Sequence, residues 1–125
     1  MRIRHALTLA FAAVTLAFLP ATAAEAKTST CRSADLRYPF QEGGPKTFGV
    51  FRLRVTSGTC TTAHRVAKAW MAKFEANLEN GSVARPKRVA GFAFTELPPN
   101  AAQTYRLRGV KAKTRINFDY VVPNG

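Results

Sequence analysis

The sequence predicts an α+β domain: one long helix packed on a small, mainly antiparallel sheet and stapled by one disulfide. Apolar residues recur at three- and four-residue steps in one segment alone, which indicates a single amphipathic helix. Several other runs alternate apolar and polar residues, as half-buried strands do. The predicted order is strand, helix, strand, strand, strand, with no second helix to make parallel crossovers.

The N-terminus carries the pattern of a secretory signal peptide. After the basic start "MRIRH", residues 6–19 form an uncharged run of 14 residues, whereas a membrane span needs about 20. Pro20 ends this run, and small residues offer cleavage after Ala23 or Ala26. We therefore expect a signal peptide over residues 1–26 and release of the mature chain outside the cell. A retained membrane anchor is the alternative.

The mature chain, residues 27–125, contains both cysteines, Cys31 and Cys60. An even number of cysteines in an exported chain favours a disulfide. The bond would close a ring of 30 residues and contribute about 3.5 kcal/mol of stability in the loop-entropy model. The alternative is a reactive thiol at Cys60, since a helix N-terminus lowers a thiol pKa, but export favours the disulfide.

Two regions precede the helix. Residues 27–47 are rich in turn residues and predict an irregular N-terminal arm held down by Cys31, ahead of a single domain over residues 48–125. Residues 48–56 alternate and predict a strand. The side chains expected on its core face are Phe51, Leu53 and Val55, and those on its other face are Arg52 and Arg54.

The helix starts after Ser57-Gly58, where Thr59 or Thr61 can cap it, and stops at Gly81. Its apolar stripe consists of Ala63, Val66, Ala67, Trp70, Phe74 and Leu78. We interpret Trp70 as a core anchor, because aromatic side chains on such a stripe usually face the sheet. A ligand-stacking role for Trp70 is the alternative.

Three more extended segments follow the basic loop "SVARPKR". Residues 89–96 predict one strand, and "TYRLRGV" with "TRINFDYVV" predicts a closing hairpin. The side chains expected to face the helix from this hairpin are Tyr105, Leu107, Ile116, Phe118, Tyr120 and Val122.

Three motifs, "GTCTTAHRVAKAW", "VAGFAF" and "RINFDYV", resemble a group of small secreted actinobacterial domains of uncharacterised function. The resemblance implies a strand leading into a cysteine, a helix, a Gly-Phe strand at Gly91 and Phe92, and a final hairpin. Relatives often have a further cysteine where this chain has Phe94, and an arginine where it has His64. The resemblance implies no catalytic residue.

Charge is the remaining functional signal. The whole chain has a net charge of +12, and without the predicted signal peptide it has 17 basic and 6 acidic residues, a net +11. Strand parity predicts that five arginines share the sheet face opposite the helix. These candidate anion-binding residues are Arg52, Arg54, Arg106, Arg108 and Arg115. The alternative is a solvated surface, since the open face of an antiparallel sheet has to be polar.

The partner expected for this face is an anionic polymer or lipid surface of the cell envelope. Nucleic acid is not expected, because the sequence has no nucleic-acid-binding motif and export removes the usual targets. No cofactor or metal site is expected, and scattered carboxylates with one mature histidine, His64, predict a non-enzymatic domain. The alternative function is an inhibitor or accessory protein that docks on an exported protein through Tyr38, Phe40 or the "TELPPN" loop.

Overall fold

The computed structural model describes residues 26–123 and confirms the α+β class. The predicted signal peptide, apart from Ala26, lies outside the described residues. One helix, α1, and one 3₁₀ turn accompany seven strands. Their bounds are β1 Thr28–Thr30, the 3₁₀ turn Ala34–Leu36, β2 Arg37–Pro39, β3 Lys46–Thr56, α1 Cys60–Glu79, β4 Arg88–Val89, β5 Phe92–Leu97, β6 Thr104–Lys111 and β7 Thr114–Val121.

All seven strands form one sheet, in the order β1-β3-β7-β6-β5-β4, and every strand pairing in it is antiparallel. β2 also pairs with β3, beside the half of β3 that β1 leaves open. The helix lies across one face of this sheet, and the core fills the space between them. The opposite face of the sheet is the one on which the predicted arginines lie.

The segment predicted to be an irregular arm is more ordered than expected. It contains β1 and β2, which pair with β3 through Thr28 opposite Thr56 and Arg37 opposite Gly49. Each strand has only three residues, so neither shows enough alternation to be recognised locally. Long-range pairing with β3 makes them strands.

The disulfide between Cys31 and Cys60 is confirmed, with the two Cα atoms 5.3 Å apart. It joins the residue after β1 to the first residue of α1. Thr59 caps the helix, because its hydroxyl accepts a hydrogen bond from the amide of Thr62 at 3.2 Å. Gly81, with a φ of +76°, follows the C-terminal cap as predicted.

The helical stripe packs into the core as predicted, except at its last member. Ala63, Val66, Ala67, Trp70 and Phe74 are fully buried, and the indole N–H of Trp70 donates to the carbonyl of Pro86 at 3.2 Å. Leu78 was predicted to be part of this stripe, but it is 39% exposed. The helix extends one turn beyond the buried stripe, so its last apolar residue meets solvent. Among residues 26–123, no helix has both the length and the apolar character that a membrane crossing needs.

Phe51 lies on the opposite face of the sheet from the one predicted. Phe51 pairs with Asp119 and Arg54 with Asn117, so that two residues of β3 stand opposite Phe118 alone. This β-bulge is accommodated at Arg52, whose φ is +54°. Because the extra residue reverses the parity of β3, Val50 takes the core position expected for Phe51.

The segment predicted as one strand over residues 89–96 is instead a hairpin of β4 and β5. Its turn is the pair Ala90 and Gly91, both with positive φ, at +50° and +81°. Such turns match the twist of a two-stranded hairpin. The closing hairpin of β6 and β7 is confirmed, and the side chains of Ile116, Phe118 and Tyr120 are buried against the helix.

Candidate anion-binding face

The structure places all five predicted arginines on the sheet face opposite the helix. Cross-strand partners share a face, and Asn117 is paired with Arg54 on one side and Arg108 on the other. In the same way Asp119 faces Arg106, and Arg115 lies two residues before Asn117 on the same strand. Arg52, displaced by the bulge, still reaches this face, because its guanidinium lies 3.9 Å from the carboxylate of Asp119.

Two further arginines lie on this face and were not predicted. Arg88 pairs with Ala93, in the same row as Arg115, and Arg37 pairs with Gly49. Arg88 lies on this face because the chain turns at Ala90 and Gly91 and pairs β4 with β5. The dipeptide "AG" is a weak sequence signal for such a turn. We call this surface, with its seven arginines, the basic face. They are Arg37, Arg52, Arg54, Arg88, Arg106, Arg108 and Arg115.

The seven arginines share the basic face with one carboxylate, that of Asp119, among the strand residues in the described range. Its side chain is 14% exposed and lies 3.9 Å from both Arg52 and Arg106. Arg37 is held differently, because it donates to the carbonyl of Val50 at 2.8 Å and stacks 4.2 Å from the ring of Phe51. Three of the seven arginines therefore have partners within the fold.

The other four, Arg54, Arg88, Arg108 and Arg115, make no side-chain hydrogen bond or ion pair with residues 26–123. Arg108 stands out, because its Nε is buried and has no hydrogen-bond partner in that part of the chain. An unsatisfied buried donor costs stability, typically about 1 to 3 kcal/mol and more when charged. An acceptor that reaches Arg108 from outside the fold would remove this cost.

The loop formed by residues 98–103 borders one end of the basic face. Arg106 donates to the carbonyl of Pro98 at 3.3 Å, which ties the start of the loop to the sheet. Between the loop and the strands lies a cavity of about 280 Å³, to which Asn100 and Ala101 contribute together with Asp119. The loop therefore forms a wall on this face rather than extending away from it.

His64, the one histidine of the predicted mature chain, lies in the first turns of α1 and contacts an acidic side chain. His64 Nε2 and the Oδ2 of Asp35 lie 2.6 Å apart, a contact that joins α1 to the 3₁₀ turn. This hydrogen bond from His64 lowers the pKa of Asp35 below its ordinary value. His64 therefore contributes to holding the 3₁₀ turn against α1. Within residues 26–123 no group of three or more His, Cys, Asp or Glu residues could hold a metal ion.

A groove on the helix side of the sheet was not anticipated from the sequence. It has a volume of about 860 Å³ and lies between residues 81–87 and the outer edge of β5. Phe94 and Leu107 form its apolar floor, and an ion pair between Arg85 and Glu96 at 2.9 Å crosses it. Val83, at its rim, is 64% exposed.

The aromatic anchors proposed for protein docking lie at the β2 edge. Phe40 is 67% exposed and its ring contacts that of Phe48 at 5.9 Å, while Tyr38 contacts Phe48 at 6.1 Å. Tyr38 also hydrogen-bonds to the hydroxyl of Tyr120, so it is held within the fold. Phe40 is thus the more available of the two aromatic side chains. The "TELPPN" segment runs from β5 into the loop of residues 98–103, which we call the wall loop.

Comparison of the chain with protein-family models, with curated proteins and with solved structures finds no match. The resemblance to small secreted actinobacterial domains therefore stays a prediction.

Proposed function

We propose that this chain is exported and that its domain binds an anionic component of the cell envelope through the basic face, without catalysing a reaction. The observation that carries the proposal is the excess of seven arginines over one carboxylate on a sheet face that the helix leaves open. The N-terminal pattern and the disulfide support export, because disulfides persist in oxidising compartments.

The charge on this face is positioned for contact with a ligand. Guanidinium groups form bidentate hydrogen bonds with phosphate and carboxylate oxygens, and they lose less hydration on binding than ammonium groups do. Four of the seven have no partner among residues 26–123, so a ligand would not need to break an existing ion pair to reach them. Binding of this kind is ionic, and salt screens it.

The proposal is tested by co-sedimentation of the purified, oxidised protein with the envelope fraction of its host across a salt series. A variant with four arginines replaced by glutamine is measured beside it. The replacements are Arg52→Gln, Arg54→Gln, Arg106→Gln and Arg108→Gln. We expect binding that weakens steeply with salt and is lost in this variant.

A matched control removes four positive charges from the helix side of the sheet. Its replacements are Arg65→Gln, Lys68→Gln, Lys73→Gln and Lys111→Gln, all at exposed positions. We expect the control to keep binding to the envelope fraction, because it leaves the basic face intact. Equal losses in the two variants would show that net charge matters and the basic face does not. No sedimentation at low salt would show that the face is only a solvated surface.

A second candidate function is docking on one exported protein, and the exposed ring of Phe40 favours it. Such an interface would depend on an aromatic anchor and would resist salt. The substitution Phe40→Ser separates the two functions in the same assay. Loss of a salt-resistant interaction in this variant, with no effect of the four arginine substitutions, would favour docking.

A further inference from the structure

One row of side chains across the basic face consists entirely of hydrogen-bond donors. The strand registers place five residues side by side on five neighbouring strands, and none of them is acidic. The name donor row is used for these residues, which are, in order across the sheet, Thr30, Arg54, Asn117, Arg108 and Thr95. Since neighbouring strands lie about 4.8 Å apart, the row spans about 19 Å.

The rows on either side of it differ. One contains Asp119 between Phe51 and Arg106, so its positive charge is partly neutralised within the fold. The other contains Arg115 and Arg88, but the apolar side chains of Val110, 41% exposed, and Ala93 separate these two arginines. The donor row alone combines two arginines, an amide and two hydroxyls with no internal acid.

Arg54 and Arg108 flank Asn117 at the centre of this row. Their Cα atoms are two strand spacings apart, about 10 Å. Arginine side chains are long enough for both guanidinium groups to reach one ligand above the shorter Asn117 amide. Neither arginine has an ion-pair partner among residues 26–123, and Arg108 buries an unsatisfied Nε there. The centre of the row therefore places donor side chains from three neighbouring strands next to one another.

The shape of an anion determines whether it can accept hydrogen bonds from all three of these side chains. A carboxylate is planar and its two oxygens are matched by one guanidinium fork. A phosphate is tetrahedral, and its oxygens point in different directions, so donors from three strands can each meet a different oxygen. Both arginines would retain bidentate geometry toward a phosphate.

The wall loop favours a chain-like ligand over a bilayer. Residues 98–103 border the basic face beside the row of Asp119, and Asn100 and Ala101 close a cavity over it. A plane of lipid headgroups would need the whole face free of this loop, whereas a narrow ligand needs only the donor row. A narrow polymer can lie along the donor row, which runs beside the wall.

We infer that the donor row is a phosphate-binding site, in which Arg54 and Arg108 clamp one phosphate of a linear polymer over Asn117. The inference rests on the proposed function and names the chemical class of its ligand. Arg52 and Arg106 hold Asp119 and contribute mainly to the general potential of the face. The seven arginines thus divide by role, and this division can be measured.

The first test uses the purified, oxidised protein and two linear polymers of similar length, inorganic polyphosphate and poly-L-glutamate. We expect the protein to bind polyphosphate about tenfold more tightly, because a tetrahedral anion engages both guanidinium forks. Arginine Nε–Hε resonances are followed by NMR during the titration with polyphosphate. The resonance of Arg108 should shift early and strongly, whereas that of Arg52 should shift little.

The second test replaces arginine by lysine, which keeps the charge and removes the planar fork. The variant Arg54→Lys with Arg108→Lys should lose about tenfold in affinity for polyphosphate and only about threefold for polyglutamate, because a carboxylate uses one fork and the phosphate uses two. The matched variant Arg65→Lys with Arg85→Lys, at two arginines on the helix side of the sheet, should bind both polymers as the unmodified protein does, within about twofold. The NMR measurement on the unmodified protein needs no variant to fold.

The outcomes separate this inference from the proposed function. Equal affinity for the two polymers, with equal effects of the two lysine pairs, would overturn the phosphate clamp and leave a basic face that binds anions. No binding of either polymer, together with no sedimentation with envelopes, would overturn both. Vesicles of phosphatidylglycerol form the last arm. If they bind as tightly as polyphosphate and with the same loss in the Arg54 and Arg108 variant, a polymer is not the ligand.

Discussion

The substitution Asp119→Asn tests whether the single carboxylate of the basic face limits binding. The seven arginines and this one acid give the face a formal charge of +6, and the substitution raises it to +7. It also releases Arg52 and Arg106 from the ion pairs they make with Asp119 at 3.9 Å. Asparagine has nearly the same shape as aspartate, so β7 should keep its register.

The expected cost in stability is small. The partner side chains are 72% exposed for Arg52 and 35% exposed for Arg106, and exposed ion pairs contribute about 0 to 1 kcal/mol. We therefore expect the free energy of unfolding, measured with urea, to fall by less than about 1 kcal/mol. A much larger loss would mean that Asp119 organises the fold rather than the electrostatics of the face.

The expected gain is in binding. Each additional phosphate contact steepens the slope of log affinity against log salt by about 0.7 to 0.9, so one or two released arginines should steepen it by about 0.7 to 1.8. At low salt, the release of a surface pair that contributes about 0 to 1 kcal/mol corresponds to an affinity for polyphosphate up to about fivefold higher. The assay is a binding titration with polyphosphate between about 50 and 200 mM salt.

Glu42→Gln is the matched control, because it changes the net charge by the same amount at an exposed position outside the sheet. We expect it to alter affinity and slope little. If Asp119→Asn leaves both quantities unchanged, or weakens binding, the basic face does not act through its net potential and the reasoning fails. Equal gains in the two variants would mean that only overall charge matters.

Two further predictions concern stability. Gly49→Ala should lower the free energy of unfolding, measured with urea, by well over about 2 kcal/mol. The added Cβ would lie 2.1 Å from the carbonyl oxygen of Leu36, and residue 49 has a φ of +107°. The matched Gly43→Ala, where φ is +76° in open space, should cost about 1 kcal/mol, and similar losses would contradict this account. Burial raises the pKa of Tyr120, as do its hydrogen bond to Tyr38 and the charge of Glu75. Because the folded state resists ionisation, the stability from this hydroxyl is present below about pH 10, the ordinary tyrosine pKa, and is lost as pH rises above it. Urea unfolding between about pH 9 and 12 should show stability falling up to about 1.4 kcal/mol per pH unit faster in the unmodified protein than in Tyr120→Phe, and parallel curves would refute this.

Features that depend on local periodicity, or on a small number of candidate residues, are predictable from the sequence. The spacing of Val66, Trp70 and Phe74 predicts a helix with one buried face, and the structure confirms it. Two cysteines allow one disulfide, and it is present. Alternation in the last two strands predicts the face of each side chain, because a hairpin with a two-residue turn keeps its parity.

Local pattern was insufficient where the chain departs from regular alternation. At Arg52 a residue other than glycine adopts a positive φ, and nothing in "FRLRV" signals the bulge that moves Phe51 to the open face. The Ala90-Gly91 turn likewise divides one apparent strand into two. β1 and β2 are too short to show a period, and pairing with β3 defines them.

The arrangement of side chains on the basic face depends on how the strands pair. Parity predicted which arginines would emerge, but the cross-strand register sets which of them meet Asp119 and which stand beside Asn117. Register joins residues more than about sixty positions apart in the chain, such as Arg54 and Asn117, and no local propensity encodes it. The tertiary structure likewise buries the Nε of Arg108, which has no hydrogen-bond partner among residues 26–123. The existence of a basic face is therefore predictable from the sequence, whereas the fold sets which of its arginines have a partner among residues 26–123.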